Sequence, residues 1–353
     1  MAIAAFAFGV ELSDRSAPPP SVASQLSLPE LAGQRIVAGF EGARPPGVVV
    51  RMIRRGGLAG VILFAGNFPS RGAGERLVRR LRAIPRPPGL RAPLLIMVDQ
   101  EGGQVKRIDG APTASARQMG AEGAVFSRGQ GRATAANLRA VGANVDLAPV
   151  LDVARPGGTI EETERGFGST PARVAASAVP FAEGLAEGGI AATAKHFPGL
   201  GAAAENTDFA VQRIDLSKRV LRSIDEAPYR HFIARGGAMV MLSTAIYPAF
   251  SAQPAAFARP IATGELRSRL GFTGVSITDA LESAAVREFG GPTRAGLAAA
   301  RAGTDLMLFT DYREGARARG ALLRALRAGS LNRAAFESSV GRVLRLRHGL
   351  SGG

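Results

Sequence analysis

The chain has no cysteine and no tryptophan, and only three histidines among its 353 residues. The first absence excludes disulfides, a thiolate nucleophile, iron–sulfur clusters and every cysteine-based zinc site. His196, His231 and His348 are far apart and show no HxH or HExxH spacing, so a histidine-built metal centre is not expected. No cofactor is expected either, and the first β-prone run, RIVAGF, is not followed by the glycine-rich phosphate loop that an open doubly wound sheet would usually need. Acidic residues are scarce, with 29 Asp and Glu against 44 Lys and Arg, giving a net charge of +15; Lys106, Lys195 and Lys218 are the only lysines. The arginines are spread between apolar helix positions. With three tyrosines and no tryptophan to stack on bases, this argues for a basic solvated surface and against a nucleic-acid partner. Long hydrophobic runs are also missing. Ala2 to Val10 is apolar but too short to span a bilayer, lacks a basic flank, and is followed by Pro18, Pro19 and Pro20. Residues 1–26 therefore read as a shortened export signal with a linker, or as an untidy disordered start. Export or a cell-envelope location is slightly favoured over the cytoplasm, and oligomeric state is left open.

What is present is a core: 46% of side chains are apolar against 21% charged, which describes a globular chain. From residue 27 onward, short β-prone runs alternate with longer arginine-studded segments of helical period. The runs are RIVAGF (35–40), GVILFA (60–65), PLLIMVD (93–99), VDLAPV (145–150), IAATAKHF (190–197), AMVMLST (238–244), VSITD (275–279) and DLMLFT (305–310). Their continuous apolar character predicts strands buried on both faces, as in a parallel sheet. Helices are expected at 74–84, 171–189 and 320–329, with Gly271 and Gly303 as C-terminal caps and Ser27 with Glu30 as a capping box. Eight strands alternating with helices predict an α/β fold, a (β/α)8 TIM-type barrel in a single domain from 27 to 353.

Function in such a barrel sits where strands end. The third run ends at Asp99, the fifth at Lys195 and His196, the sixth at Thr244 and the seventh at Asp279, while Asp152 follows the fourth. A buried aspartate closing an apolar strand is costly unless it is hydrogen-bonded or works on a ligand. Two of them beside a Lys-His pair form a convergent polar site suited to a hydroxyl-rich substrate, and carbohydrate fits. An aspartate at the barrel mouth can attack an anomeric carbon while other charged groups fix the hydroxyls.

The segments GQRIVAGF, GGLAGVILFAGN, VDQEGGQVKRI, NVDLAPVLDV, RGFGST, KHFPGLG, GVSITDALE and AGTDLMLF follow one another in the order of a known family. From about Gly33 to Gly349 the chain resembles glycoside hydrolase family 3, in its β-N-acetylhexosaminidase branch. The resemblance independently implies the barrel. It also implies that Asp279 in SITDALE is the nucleophile of a covalent glycosyl-enzyme, and that Asp99, Arg107, Arg165, Lys195 and His196 bind the sugar in the first subsite. On the bland reading Arg165 would merely pair with Glu162 or Glu164, and His196 would be a satisfied core histidine. His231 and His348, in arginine-containing helical stretches, are read as structural.

The chain departs from its family in the acid/base loop. Where the branch carries KHFPGHG and then an Asp-Ser-His triplet acting as general acid/base, this sequence reads KHFPGLGAAAENTDF. Leu200 replaces the second histidine, and Asn206, Thr207 and Asp208 fall at the triplet. Thr244 stands where a strand-end histidine is expected, and Gln104 where arginine is common. An Asp-His dyad cannot operate without its histidine, which leaves Asp208 or Glu205 as the acid, or an enzyme without an efficient one. The expected function is a retaining exo-glycosidase releasing terminal β-linked N-acetylglucosamine or a related sugar from an amino-sugar glycan or cell-wall fragment. A β-glucosidase or β-xylosidase is the alternative among enzymes; the early end after the last helix favours the hexosaminidase side. A silent glycan binder is the alternative outside enzymes.

Overall fold

The computed structural model describes residues 22–350. Eight parallel strands follow in chain order: β1 (Ile36–Gly39), β2 (Gly60–Leu63), β3 (Leu95–Val98), β4 (Val145–Asp146), β5 (Ala191–Phe197), β6 (Met239–Leu242), β7 (Val275–Thr278) and β8 (Met307–Phe309). Each sits beside its chain neighbour, with β8 returning to β1. A parallel bridge between Ile277 and Leu306 joins β7 to the start of β8 and closes the ring. The fold is thus a TIM-type (β/α)8 barrel, as expected. All eight sequence runs contain a strand, although β4 is far shorter than VDLAPV. Pro149 has no N–H to give to a ladder, so regular pairing cannot continue through it. The export-signal reading falls mainly on residues 1–21, which lie outside the described residues. Packed structure begins ahead of Ser27, with a 3-10 turn at Val22–Gln25 and with Ala23 and Leu26 buried.

The strands alternate between two buried faces. Val37, Ile62, Leu95, Met97, Val145, Ala191, Met239, Met241, Val275, Ile277 and Leu308 form one cluster, to which every strand contributes and which fills the barrel lumen. Their neighbours Ile36, Ala38, Val61, Leu63, Ile96, Val98, Val240, Leu242, Met307 and Phe309 belong to the outer cluster beneath the helices. Fully burying each large aliphatic side chain contributes about 1.5–3 kcal/mol. The same two-residue period determines what reaches the mouth. Leu95 and Met97 point inward, so the next position in phase is Asp99; Val275 and Ile277 are followed in phase by Asp279.

Helices cover the strands with one apolar face each. Arg71–Arg82 buries Leu77, Val78 and Leu81 and leaves Arg76, Arg79 and Arg80 outward; it starts ahead of the expected 74 because the Ser70 hydroxyl caps the Ala73 N–H at 3.3 Å. Ala124–Val141 and Pro171–Glu187 pack backbone to backbone. A Cβ on Gly131 would lie 2.2 Å from the Phe181 carbonyl oxygen, and one on Gly184 would lie 2.3 Å from that of Arg128. The Ser27–Glu30 capping box is present, and Gly271 and Gly303 take left-handed φ values of 71° and 94°.

The bottom of the barrel is sealed by the C-terminal helix Arg333–Gly349. Its Val343 joins the lumen cluster, and the fully buried Arg347 donates to the carbonyls of Pro93 (2.8 Å) and Leu90 (3.1 Å). The seam between β7 and β8 is held by Asp305, which is fully buried. It accepts from the Ser276 N–H (2.9 Å), from Arg342 Nη2 (2.7 Å) and from Arg267. Burial works against its charged form, yet the two guanidiniums outweigh it and hold the carboxyl below the usual range. Asp305→Asn should therefore destabilise the fold by about 3–5 kcal/mol by leaving two arginines facing a neutral group. Urea unfolding measures this, and an unchanged midpoint would show that the seam does not depend on the pair.

Candidate active site

At the C-terminal mouth lies a cavity of about 300 Å³. Asp99, Arg107, Arg165, Lys195, His196, Asp208 and Asp279 all line it, together with Glu101 and Asn206. The seven first named, all expected at the site, are thus brought to one cavity from five separate parts of the chain.

The floor is an ion network. The buried Lys195 Nζ lies 2.8 Å from Asp99 Oδ1 and 2.6 Å from Glu101 Oε1. Arg165 donates twice to Glu101, both at 2.8 Å, in the paired fork geometry of guanidinium and carboxylate. Arg165 therefore pairs neither with Glu162 nor with Glu164. Burial alone would raise the Glu101 pKa, but Arg165 and Lys195 reverse this and hold its carboxyl far below the usual range. Arg107 Nη2 stands 3.9 Å from Asp99 Oδ2, while its Nε is buried without a hydrogen-bond partner among the described residues. Below, Asp146 accepts from the Gln100 N–H at 3.0 Å, and burial pushes its carboxyl well upward.

Glu101 is the functional residue that sequence reasoning missed. It sits on a short antiparallel ribbon of Gln100–Gly102 and Val105–Lys106 that follows β3. The ribbon is fixed by the Gln100 side chain, which accepts from the Arg107 and Ile108 N–H groups at 3.0 and 3.1 Å. The available signal was the two-residue phase Leu95, Met97, Asp99, Glu101, which continues one step beyond the strand end.

Asp152, noted in the sequence only as following the fourth run, holds His196. Its Oδ1 accepts from the backbone of His196 (3.1 Å) and Leu200 (2.7 Å), and its Oδ2 is 2.7 Å from His196 Nδ1. This leaves Nε2 as the free ring nitrogen of a histidine on the cavity wall. Leu200 is buried in the outer core and is an apolar anchor for the loop. Gly201 follows because a Cβ there would meet the Val153 carbonyl oxygen at 1.9 Å. The Tyr247 hydroxyl donates to the Gly199 carbonyl at 2.9 Å, and Arg155 pairs with Asp225 beneath the loop at 2.8 Å.

From this base the loop reaches the mouth. The Asn206 side chain accepts from the Asp208 N–H at 2.9 Å, and the carbonyls of Asp208 and Thr207 accept from Ala284 and Ala285 at 3.1 and 3.3 Å. The loop is thereby fastened to the segment just after Asp279. Asp208 is exposed at the rim, yet the surrounding wall desolvates its carboxyl and raises its pKa; the charge of Asp279 raises it further, against His196 and Arg165. Glu205 is exposed and does not line the cavity, and Thr244 is buried away from its lining. His231 and His348 are exposed on helices. On the other side of Asp279, Glu282 accepts from the N–H groups of Thr310 (3.0 Å) and Asp311 (3.2 Å), tying the loop to the end of β8. Among the described residues no group of three acidic or histidine side chains is placed to hold a metal ion.

Fold and site together define a barrel with a carboxylate-rich pocket of about 300 Å³ at the C-terminal ends of its strands. The chain belongs to glycosyl hydrolase family 3, a family of glycosidases: the family model described as Glycosyl hydrolase family 3 N terminal domain matches residues 23–346. It is 37% identical over 342 residues to a protein of Arthroderma benhamiae named an uncharacterized secreted glycosyl hydrolase, covering 94% of this chain and 96% of that one. It is 35% identical over 286 residues to a Xylella fastidiosa protein named beta-hexosaminidase, covering 77% and 82%. Among solved structures, a Paenibacillus family 3 beta-N-acetylglucosaminidase superposes with a TM-score of 0.88 at 33% identity. The match covers 93% of this chain but 64% of that one, so the chain spans somewhat under two thirds of that enzyme. A beta-N-acetylhexosaminidase of Beutenbergia cavernae gives 0.83 at 30% identity, covering 91% and 98%.

The ion network has a pH signature. Because the Glu101 pKa is lower folded than unfolded, its stabilisation is complete above the unfolded value of about 4.3 and is lost as pH falls below it. Glu101→Gln should abolish this share of the acid sensitivity, cost about 3–5 kcal/mol at neutral pH and unseat Lys195 and Arg165. Unfolding midpoints of both proteins across the acid range check it; parallel pH curves would remove Glu101 from the network's centre.

Proposed function

We propose that the protein is a retaining, exo-acting glycosidase that releases terminal β-linked N-acetylglucosamine or a related sugar. The observation that carries this reading is that Asp279 and Asp208 face the same cavity as the Asp99–Lys195–Glu101–Arg165 network. The network supplies fixed charges and donors for sugar hydroxyls, and it needs no rearrangement when the substrate arrives. The names of the Xylella, Paenibacillus and Beutenbergia relatives favour an amino sugar over glucose or xylose. The Arthroderma relative is named as secreted, which together with the apolar Ala2 to Val10 stretch favours export. No helix among the described residues is long and apolar enough to cross a membrane.

In this mechanism an Asp279 carboxylate oxygen attacks the anomeric carbon. The glycosidic C–O bond breaks, and the leaving oxygen takes a proton from Asp208. Asp208, now a carboxylate, then takes a proton from water as the water oxygen attacks the anomeric carbon, and the Asp279 ester bond breaks to free the sugar. The raised pKa of Asp208 suits it to the first step. His196 Nε2, Arg107 and Asp99 are assigned to hydroxyl binding, and Asp152 to holding the imidazole in place.

The test is a pair of substitutions read on two substrate types. Asp279→Asn should leave the denaturation midpoint nearly unchanged and abolish turnover of an aryl glycoside; unchanged hydrolysis would remove the proposed nucleophile. Asp208→Asn should cost roughly 10²–10⁴-fold on sugar leaving groups and much less on a nitrophenyl glycoside, whose anion needs little protonation. It should also erase the alkaline limb of the pH profile, where activity falls as the acid loses its proton. Glu205→Gln should do neither. Equal losses on both substrates for Asp208→Asn would assign that residue to sugar binding, and complete inactivity of the native chain on aryl glycosides would favour a silent glycan binder.

A further inference from the structure

A second and larger cavity opens beside the catalytic one. It measures about 830 Å³ against about 300 Å³, and the two share the walls Phe64 and Thr310. We propose that this groove, at the ends of β1, β2 and β8, holds the sugar units on the leaving-group side of the scissile bond, and that it selects a neutral oligosaccharide. The proposal rests on the glycosidase reading above and adds the substrate class.

Three observations carry it. The groove is preformed: the Asn67 side chain, almost fully buried, donates to the carbonyls of Phe40 (2.9 Å) and Gly42 (2.8 Å) and accepts from the Phe64 N–H (2.7 Å), locking the β1 and β2 loops together. It is also held in fixed relation to the nucleophile, because Glu282 in the Asp279 loop binds the N–H groups of Thr310 and Asp311 in its wall. Finally, its lining matches the two faces of a sugar ring. The half-buried rings of Phe64 and Tyr312 offer apolar surface to C–H groups, while Glu41 and Asp311 offer acceptors to hydroxyls. The charge balance is the selective element. On a chain of net charge +15, this groove carries two acids against one arginine, and that arginine is engaged, 3.5 Å from Asp311 and 4.8 Å from the Tyr312 ring centroid. Such a wall disfavours carboxylate-bearing sugars and accepts uncharged ones.

Gly66 provides a clean probe, since it lines the groove and a Cβ there would meet nothing within 4 Å. Gly66→Trp fills the groove and Tyr312→Ala removes its platform. Both should lower kcat/KM on β-linked N-acetylglucosamine trimers about tenfold, mainly through KM, and change nitrophenyl N-acetylglucosaminide hydrolysis less than about twofold. The native protein should also prefer the neutral trimer over a muramyl-containing oligomer. Binding gives a readout free of turnover: trimer titrated into Asp279→Asn protein should bind about tenfold more weakly when Gly66→Trp is added. Equal losses on both substrates, unchanged trimer binding, or a preference for the carboxylate-bearing oligomer would each overturn the proposal. A loss produced by Phe209→Ala, in the exposed aromatic beside Asp208, but by neither groove variant would place the leaving sugar over the acid loop instead. Loss of aryl-glycoside turnover by the native chain with groove-dependent trimer binding intact would sink the glycosidase reading and spare the groove.

Discussion

Lys195 is a buried ammonium held between two carboxylates, and the mouth of the barrel is organised around it. Its partners Asp99 and Glu101 come from the end of β3 and the ribbon beyond, and Glu101 in turn holds Arg165 from the loop after β4. Taking four charges out of water is expensive, and the arrangement persists only because each charge faces the opposite sign at hydrogen-bonding distance. The same cost makes the site rigid. No member can swing away without leaving an unpaired buried charge, so the donors that would meet a sugar are fixed before it arrives. Three strand-end segments that share no local contact in sequence are thereby locked into one geometry.

The loop that follows β5, from Pro198 to Asp208, obeys a different rule. Its base is as firmly held as the ion network, through Asp152, Leu200 and the close approach of Gly201 to Val153. Its tip, from Glu205 to Asp208, is anchored by backbone hydrogen bonds to Ala284 and Ala285, which any side chain allows. A tip fastened through its backbone can change its side chains without disturbing the barrel. In this setting Asn206, Thr207 and Asp208 are held at the mouth beside the segment that follows Asp279. The loop still presents a carboxyl to the cavity, and its elevated pKa follows from the wall it rests on and from Asp279 across from it.

The two ends of the barrel divide structure from chemistry. At the bottom, Arg35 and Arg347 donate to backbone carbonyls of the same chain: Arg35 to those of Asp305 and Thr304, Arg347 to those of Leu90 and Pro93. At the top, the Arg107 side chain reaches no backbone carbonyl among the described residues, standing 3.9 Å from Asp99, and the His196 ring nitrogen Nε2 is free on the cavity wall. Arginine alone does not distinguish the two roles. What differs is whether the surrounding backbone has already satisfied it.

Much of this was legible from local pattern. Continuous apolar runs fixed the eight strands because burial on both faces is a property of each run by itself, and the two-residue phase carried Asp99 and Asp279 to the mouth. Family resemblance in KHFPGLG, VDQEGGQVKRI and RGFGST pointed to His196, Lys195, Arg107 and Arg165 as one site, and left Asp208 and Glu205 as alternatives for the acid. Only the tertiary structure showed that Arg165 belongs to Glu101 rather than to Glu162 or Glu164, that Asp152 orients His196, that Asp208 rather than Glu205 reaches the cavity, and that Asp305 closes the seam. The reason is physical: strand phase and helical face depend on neighbours a few residues away, whereas ion pairing and cavity walls join segments as far apart as residues 101, 165 and 195, whose proximity exists only once the ring has closed.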